Sequence, residues 1–294
     1  MKRDLQKAKN TKDDEFYTQY KDIEKELSNY SIELFKNKIV YCPCDIVQSK
    51  FVKYFMDNFN RLQLKHLYAT SIQKTYFSYD GKEQEIKEIE NGDCQSDFCK
   101  DLMKKSDLII TNLPFSEFRS IFNQILALNK SYLLLCTQNA LMYKEVFPLI
   151  MQNKAWTGVN NGEMNFKVPK DSLPRKTRYW IDATGQKWRS MGNICWLTNL
   201  DLEHRHKPLV LTNEDVNFKK YSTYDAININ KVKDIPKNYK GKIGVPITFL
   251  HKYCPEQFEI LGELKHGSDS EYDLAKPIVD GKELFTRIVI KAIK

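Results

Sequence analysis

The sequence predicts an α/β fold, a doubly wound and largely parallel sheet over about the first 150 residues, followed by an irregular α+β region. The first observation behind this is a series of short continuous apolar runs, the mark of strands buried on both faces. The second is helical periodicity between those runs. The third is a change of texture after residue 150, where Gly158, Gly162, Gly185 and Gly192 break the chain and aromatic and basic residues alternate.

The elements follow in order. The first dozen residues are polar and read as a mobile arm. Asp22 opens a segment with Ile23, Leu27, Tyr30 and Leu34 on one helical face. Lys38–Cys42 is a strand that stops at Pro43-Cys44-Asp45. Val47, Phe51, Phe55 and Phe59 recur every four residues and predict a helix starting near Val47. Leu67–Ile72 reads as a second strand. Asp107–Thr111 is a buried strand leading through Asn112-Leu-Pro-Phe115 into a helix with Phe118, Ile121, Phe122 and Ile125 inward. Ser131–Thr137 is a further buried strand. No internal repeat or low-complexity tract is present.

Composition narrows the class. At 294 residues with 41% hydrophobic and 29% charged residues, the chain can bury a substantial core. No apolar run approaches the roughly 18 residues of a membrane span, and Met1–Lys7 is charged without an apolar signal core, so a cytoplasmic protein is expected. Seven cysteines, an odd number, suit a reducing compartment better than a disulfide framework. Cys42-x-Cys44 and Cys94-x4-Cys99 match no common zinc spacing, and no metal is expected. Residues 1–150 hold 22 Lys and Arg against 21 Asp and Glu, net +1; residues 151–294 hold 24 against 17, net +7. A neutral first half and a basic second half divide chemistry from polyanion binding, or else the second half carries a solvated lysine-rich surface.

Asn112-Leu113-Pro114-Phe115 stands at the carboxyl end of a strand, where ligands sit in open α/β sheets. Its residue types suit modification of an exocyclic amine. Such an amine must be held by acceptors that draw its hydrogens aside and leave the lone pair exposed. An Asn carbonyl and a backbone carbonyl two residues before an aromatic do this, while proline stiffens the loop and the aromatic stacks on a flat ring. The alternative is a simple turn, with Pro114 breaking the strand and Ser116 capping the helix.

This tetrapeptide resembles the [DNS]-P-P-[YFW] motif of amino-methyltransferases, with Leu113 where the first proline is usual. Glu15-Phe16-Tyr17-Thr18 resembles the segment that covers the methionine end of S-adenosylmethionine in adenine methyltransferases. Tyr41-Cys42-Pro43-Cys44-Asp45 stands in the place of their glycine-rich cofactor loop, without a glycine. Asn91-Gly92-Asp93 stands where a carboxylate approaches the adenine ring of the cofactor. With Gly192–Asn199, Tyr224–Asn228, Gly244–Phe249 and Gln257–Gly262, the set resembles the EcoRI-type adenine-specific DNA methyltransferases, in the gamma order of segments, over nearly the whole chain. The resemblance implies a Rossmann-like methyltransferase sheet with an irregular α+β target-recognition region, S-adenosylmethionine as cofactor, and N6-methylation of an adenine flipped out of double-stranded DNA. It assigns residues 1–155 to cofactor binding and catalysis and 156–294 to target recognition. Asn112 to Phe115 become catalytic; Phe16, Tyr17, Thr18, Cys42, Pro43, Cys44, Asp45, Asp93 and Asn112 become cofactor-binding. Asp45 is read either as a partner of a cofactor hydroxyl or amine, or as a cap on the helix near Val47. Leu113 is expected to loosen the loop. A monomer is implied, in a restriction–modification or epigenetic marking system whose cognate endonuclease shares the site without binding directly.

The DNA-facing residues are read from charge. Lys167, Lys170, Arg175, Lys176, Arg178, Lys187 and Arg189 stand against only Asp171 and Asp182, with Tyr179, Trp180 and Trp188 interleaved. The aromatics either stack on or replace an extruded base, or pack a small core, which is the reading preferred for Trp188 and Trp196. Arg119 and Asn139, the latter just past the Ser131–Thr137 strand together with Met142-Tyr143-Lys144, complete the candidate surface. Two other functions remain open: methylation of RNA or of a protein glutamine amide, which the same loop chemistry permits, and a non-catalytic DNA-binding relative, suggested by Leu113 and the glycine-free turn.

Overall fold

In the computed structural model, residues 17–293 are described, apart from 216 and 267–270. They form two compact units. The first contains the described residues up to Asn139 together with Gly158–Leu200; the second contains Ala140–Thr157 and the described residues from Asp201.

The first unit is built on an α/β mixed sheet with flanking helices. Its elements are α1 (Tyr20–Leu27), β1 (Ile39–Pro43), α2 (Lys50–Asp57), β2 (His66–Ser71), β3 (Thr75–Tyr79), β4 (Gln84–Glu88), α3 (Asp97–Lys105), β5 (Leu108–Asn112), α4 (Phe118–Ala127) and β6 (Ser131–Thr137). Strands β8 (Gly162–Lys167), β9 (Tyr179–Ile181) and β10 (Lys187–Thr198) complete it. The spatial order is β4-β3-β2-β1-β5-β6-β10, with β8 and β9 both paired to β10. β2, β1, β5 and β6 are mutually parallel, whereas β3, β4 and β10 join antiparallel. The chain moves from β1 to β2 in one direction and then crosses back to β5 on the other side of β1. The carboxyl ends of β1 and β5 therefore flank the point where the order reverses, the crevice in which open sheets bind ligands.

Local chemistry explains where the elements differ from expectation. The first helix stops at Leu27, because the Asn29 amide donates to the carbonyls of Lys25 and Glu26 at 2.7 and 3.0 Å, and Tyr30 turns back to Glu26. Leu34 falls in a separate 3-10 turn, Ile32–Leu34. The helix expected near Val47 begins at Lys50, capped by Ser49, whose hydroxyl accepts from Val52 N at 3.1 Å. Asp45 is thus not its cap. At α4 the cap position is Glu117 rather than Ser116. The β3–β4 hairpin carries no strong apolar pattern; every residue of β4 is exposed, so its pairing is decided by the neighbouring strand edge.

The largest departure is the placing of β8 to β10. Cys195 and Trp196 lie opposite Cys136 and Leu135 of β6, so the Gly158–Leu200 segment extends the first sheet and the unit division does not follow the boundary after residue 155. Trp196 packs in the core as expected, fully buried and edge-on to Phe51 at 6.1 Å.

The second unit contains α5 (Phe147–Met151), β7 (Trp156–Thr157) and a sheet of β11 (Ile227–Asn228), β12 (Ile243–Pro246), β17 (Arg287–Ala292), β13 (Phe258–Leu264) and β14 (Asp273–Ala275), in that order. β15 (Ile278–Val279) and β16 (Lys282–Glu283) form a small hairpin. The Arg205 guanidinium lies 3.6 Å from the centre of the Trp156 ring, a cation–π contact. Long loops separate these strands, in keeping with an irregular C-terminal region.

Glu26 ties α1 to the loop entering β8. It is fully buried and accepts from Val159 N at 3.0 Å, Asn160 N at 2.8 Å, the Asn160 amide at 3.0 Å and the Tyr30 hydroxyl at 3.0 Å. Burial raises its carboxyl above the usual range against the pull of those donors. Gly158 is required beside it, since a Cβ there would come within 2.0 Å of Glu26 Oε1. Glu26→Ala would strand these donors and is expected to cost roughly 2–4 kcal/mol in urea or thermal unfolding. Glu26→Gln, which keeps part of the network, should cost less.

Candidate active site

The crevice between the carboxyl ends of β1 and β5 opens into a cavity of about 380 Å³, within the range of small-molecule sites. Tyr17, Thr18, Cys44, Asp45, Asp93, Asn112, Leu113 and Pro114 line it. Segments expected to meet on motif order alone therefore converge on one cavity. Ser71, Ile72 and Gln73 after β2, Ile46, Lys50 and Phe51 at the start of α2, Gly92, Cys94, Glu117 and Lys167 also line it and were not singled out as cofactor-binding residues. Ser71 and Ile72 stand at another carboxyl end of the sheet, which is the signal that points to them. Lys167, expected to face DNA, lies on the cavity wall.

The β1 loop achieves its turn without glycine because Cys44 itself takes the left-handed conformation, φ 64°. Its thiol touches that of Cys94, Sγ to Sγ 2.7 Å, and both cysteines are free. Cys42 is fully buried on β1 and it and Pro43 fall outside the cavity lining, so their part is to set the strand and the turn. Phe16 lies outside the described residues.

Thr111 joins the two loops. Its Oγ1 is 2.7 Å from both Pro43 O and Asp45 Oδ2. A hydroxyl has a single hydrogen, so a protonated Asp45, donating to Oγ1 while Thr111 donates to Pro43 O, satisfies both contacts. Burial agrees with this, raising the Asp45 carboxyl to about 7 against the opposing pull of the Thr111 and Ser49 hydroxyls.

At the end of β5, Asn112 Nδ2 donates to Thr18 Oγ1 at 3.2 Å, so the segment before α1 orients the Asn112 carboxamide. The Leu113 side chain is 1% exposed, an apolar anchor at the position where the related motif has a proline ring. Phe115 is half-buried and stands off the cavity lining. Arg119 is exposed on α4, and Asn139 is exposed in the 3-10 turn after β6.

Opposite, Asn91 Oδ1 accepts from Asp93 N at 2.9 Å, and Asp93 Oδ1 accepts from Gln95 N at 2.8 Å. Gly92 presses on the end of β2; a Cβ there would lie 1.7 Å from Ser71 O. The Ser71 hydroxyl, 2% exposed, has no hydrogen-bond partner among the described residues, a polar atom suited to a ligand hydroxyl.

The candidate DNA-facing residues separate by sheet face. Lys167 is registered opposite Trp188, while Arg189 is opposite Phe166 and Tyr179, and Lys187 opposite Ile181. By strand alternation Lys187 and Arg189 share the face opposite to Lys167. Lys170, Arg175, Lys176 and Arg178 are exposed in the connection between β8 and β9. Trp188 is half-buried and on the face away from the core residue Phe166, contrary to the preferred reading that it fills the core.

Comparisons with known proteins agree over the length of the chain. A family model described as "Adenine-specific methyltransferase EcoRI" matches residues 4–90 and 78–292. The chain is 43% identical over 317 residues to the Type II methyltransferase M.EcoRI of Escherichia coli, covering 98% of this chain and 95% of that protein. It is 35% identical to the Type II methyltransferase M.MgeORF184P of Mycoplasma genitalium, with 97% of each covered. It is also 35% identical to the Type II methyltransferase M.MpnI of Mycoplasma pneumoniae, with 87% and 84% covered. No solved structure matches.

The left-handed Cys44 gives a direct test of the loop. Cys44→Gly is expected to fold at least as well as the parent, while Cys44→Val, β-branched at positive φ, should lose about 1–2 kcal/mol relative to the glycine variant in thermal unfolding.

Proposed function

The chain belongs to the EcoRI-type family of adenine-specific methyltransferases, and from that premise we propose that the β1/β5 cavity is its catalytic site, with Asn112-Leu-Pro-Phe115 as the amine-holding loop. The protein is an S-adenosylmethionine-dependent DNA adenine N6-methyltransferase. The observation that carries the site reading is the convergence of Thr18, Asp45, Asp93 and Asn112 on one cavity at the reversal of strand order.

The residues present fit the cofactor. Ile46, Phe51 and Ile72 offer apolar walls to a flat ring, and the Ser71 hydroxyl offers a partner for a ribose hydroxyl. Tyr17 and Thr18 would hold the methionine end, Asp45 an amine or hydroxyl, and Asp93 the side of the adenine. S-adenosylmethionine supplies an electrophilic methyl group, so the protein has no need of a strong base. Asn112 Oδ1 and the Leu113 carbonyl would accept the two hydrogens of the target amine and aim its lone pair, while Phe115 would stack on the base. Thr18 keeps the Asn112 carboxamide in the required orientation, and the buried Leu113 side chain keeps its carbonyl in place.

The wider reading is a doubly wound Rossmann-like domain acting on an adenine flipped from double-stranded DNA. Residues 1–155 supply cofactor binding and chemistry, and 156–294 supply target recognition through Lys167, Lys170, Arg175, Lys176, Arg178, Lys187, Arg189 and the second unit, with Arg119 and Asn139 beside them. It works as a monomer in a restriction–modification system, with an endonuclease that shares the site without binding it. No helix among the described residues is long and apolar enough to cross a membrane.

Asn112→Ala is expected to lower methyl transfer from labelled donor to unmethylated genomic DNA by about 100-fold or more, with binding of S-adenosylmethionine less affected. Unchanged turnover would remove the loop from the mechanism. Asp45 gives a pH signature. Its carboxyl titrates near 7, neutral below and ionised above, and a cationic ligand favours the ionised form. Affinity for S-adenosylmethionine measured by calorimetry should therefore rise roughly tenfold from pH 6 to pH 8, and Asp45→Asn should flatten the dependence.

A further inference from the structure

A row of side chains runs across one face of the sheet from the cavity outward. Tyr17 is bridged antiparallel to Lys167, Lys167 is registered opposite Trp188, and Trp188 opposite Trp180. Directly opposed residues in antiparallel pairs project to the same side, and the contacts bear this out. The indoles of Trp188 and Trp180 are parallel within 3°, centroids 6.1 Å apart, and Lys167 Nζ lies 5.3 Å from the Trp188 ring. Tyr17 and Lys167 line the cavity, so the row begins at the site and ends at the surface.

This face is not the core of the module. Met164 and Phe166, the buried residues of β8, alternate with Lys167 and point to the other side. Trp180 is 38% exposed and Tyr17 is 45% exposed. Trp188 is also held in place: its Nε1 donates to Asp182 Oδ2 at 2.7 Å. Asp182 accepts also from the Thr184 hydroxyl at 2.6 Å, and that bond, with the one from the indole and those from Thr184 N and Gln186 N, holds its carboxyl down at about 2 and ionised. The polar edge of the Trp188 indole is thus committed and its ring is covered by Trp180 and Lys167, so the open aromatic surface of the pair is that of Trp180. Around the row, Lys170, Arg175, Lys176 and Arg178 are exposed in the β8–β9 connection, matching a polyanion in charge.

We propose that the Tyr17–Lys167–Trp188–Trp180 row is a stacking platform for a base of the substrate DNA that has left the helical stack beside the catalytic cavity. The exposed face of Trp180, backed by the stacked Trp188 indole, takes the base face, Lys167 neutralises the phosphate between that base and the cavity, and Asp182 fixes the angle of the stack. Stacking suits any base, so the row supplies distortion and grip rather than sequence readout. The proposal rests on the reading of the β1/β5 cavity as the catalytic site.

The test uses the full chain with Trp180→Ala, Trp180→Phe and Trp188→Ala, each checked for unchanged thermal unfolding. Mixed-sequence single-stranded DNA is titrated while intrinsic tryptophan fluorescence is followed, and methyl transfer is measured on unmethylated genomic DNA. In the parent, DNA should quench the fluorescence. Trp180→Ala should lose most of that quench and weaken single-strand binding roughly 5- to 100-fold, with the slope of log affinity against log salt unchanged, because no phosphate contact is lost. Its kcat/KM on duplex should fall by a similar factor while S-adenosylmethionine affinity stays at the parent value. Trp180→Phe should recover most of both losses. Should Trp188→Ala fail to fold, the Trp180 pair decides the question alone. Folded Trp180→Ala with parental quench, affinity and kcat/KM would overturn the proposal. So would a variant that changes only self-association, since the row would then be a contact between copies. A parent that binds and quenches yet leaves adenine unmodified would instead overturn the underlying reading of the site.

Discussion

The Thr111 hydroxyl holds together the two loops from which the rest of the site is built. It stands on β5 one residue before Asn112, within 2.7 Å of a backbone carbonyl and a carboxyl on the β1 loop. β1 and β5 pair in parallel, and the contact ties the loop after β1 to the 112–115 loop. Because the pair is taken out of water, the Asp45 carboxyl is raised to about 7, well above the usual carboxylate range. The site is thereby built around a group whose charge responds to what binds beside it.

A second set of constraints brings remote segments to the same cavity. Glu26 draws the loop at Val159 and Asn160 onto α1, and the strand that follows returns Lys167 to Tyr17. The segment before α1 is thereby bridged to β8, which pairs with β10 beside β6 in the same compact unit as the 112–115 loop. The charge asymmetry along the sequence does not correspond to a division in space, since part of the basic half is folded into the catalytic unit.

Much of the first unit was legible because its residues are dictated locally. Ser131–Thr137 is a strand to the residue, and Phe118, Ile121, Phe122 and Ile125 line a helix as their spacing requires. Burial on both faces leaves a strand little choice but a continuous apolar run. The polar β3–β4 hairpin was not legible, as its pairing is decided by the open edge of β2 and not by its own pattern. Nor was the helix start at Lys50, since Val47 fits the apolar spacing but only Ser49 offers a cap. Trp188 was misjudged because an aromatic in a short strand reads as core until its register shows which face it occupies.

By itself the sequence determined the chemistry available to this protein: an Asn and two carbonyl-bearing loop residues at a strand's end, carboxylates spaced along a sheet, and a surplus of basic residues late in the chain. Those are properties of residue type and local order, and the segments of the EcoRI-type family carry them in recognisable form. Tertiary structure alone decided that Cys44 adopts the backbone conformation a glycine would have taken, that Leu113 anchors the loop through burial, and that Ser71 and Lys167 belong to the cavity. It also decided that four residues from Tyr17 to Trp188 form one row across three strands. Each of these depends on register or on desolvation, and both arise only when distant segments are pressed together.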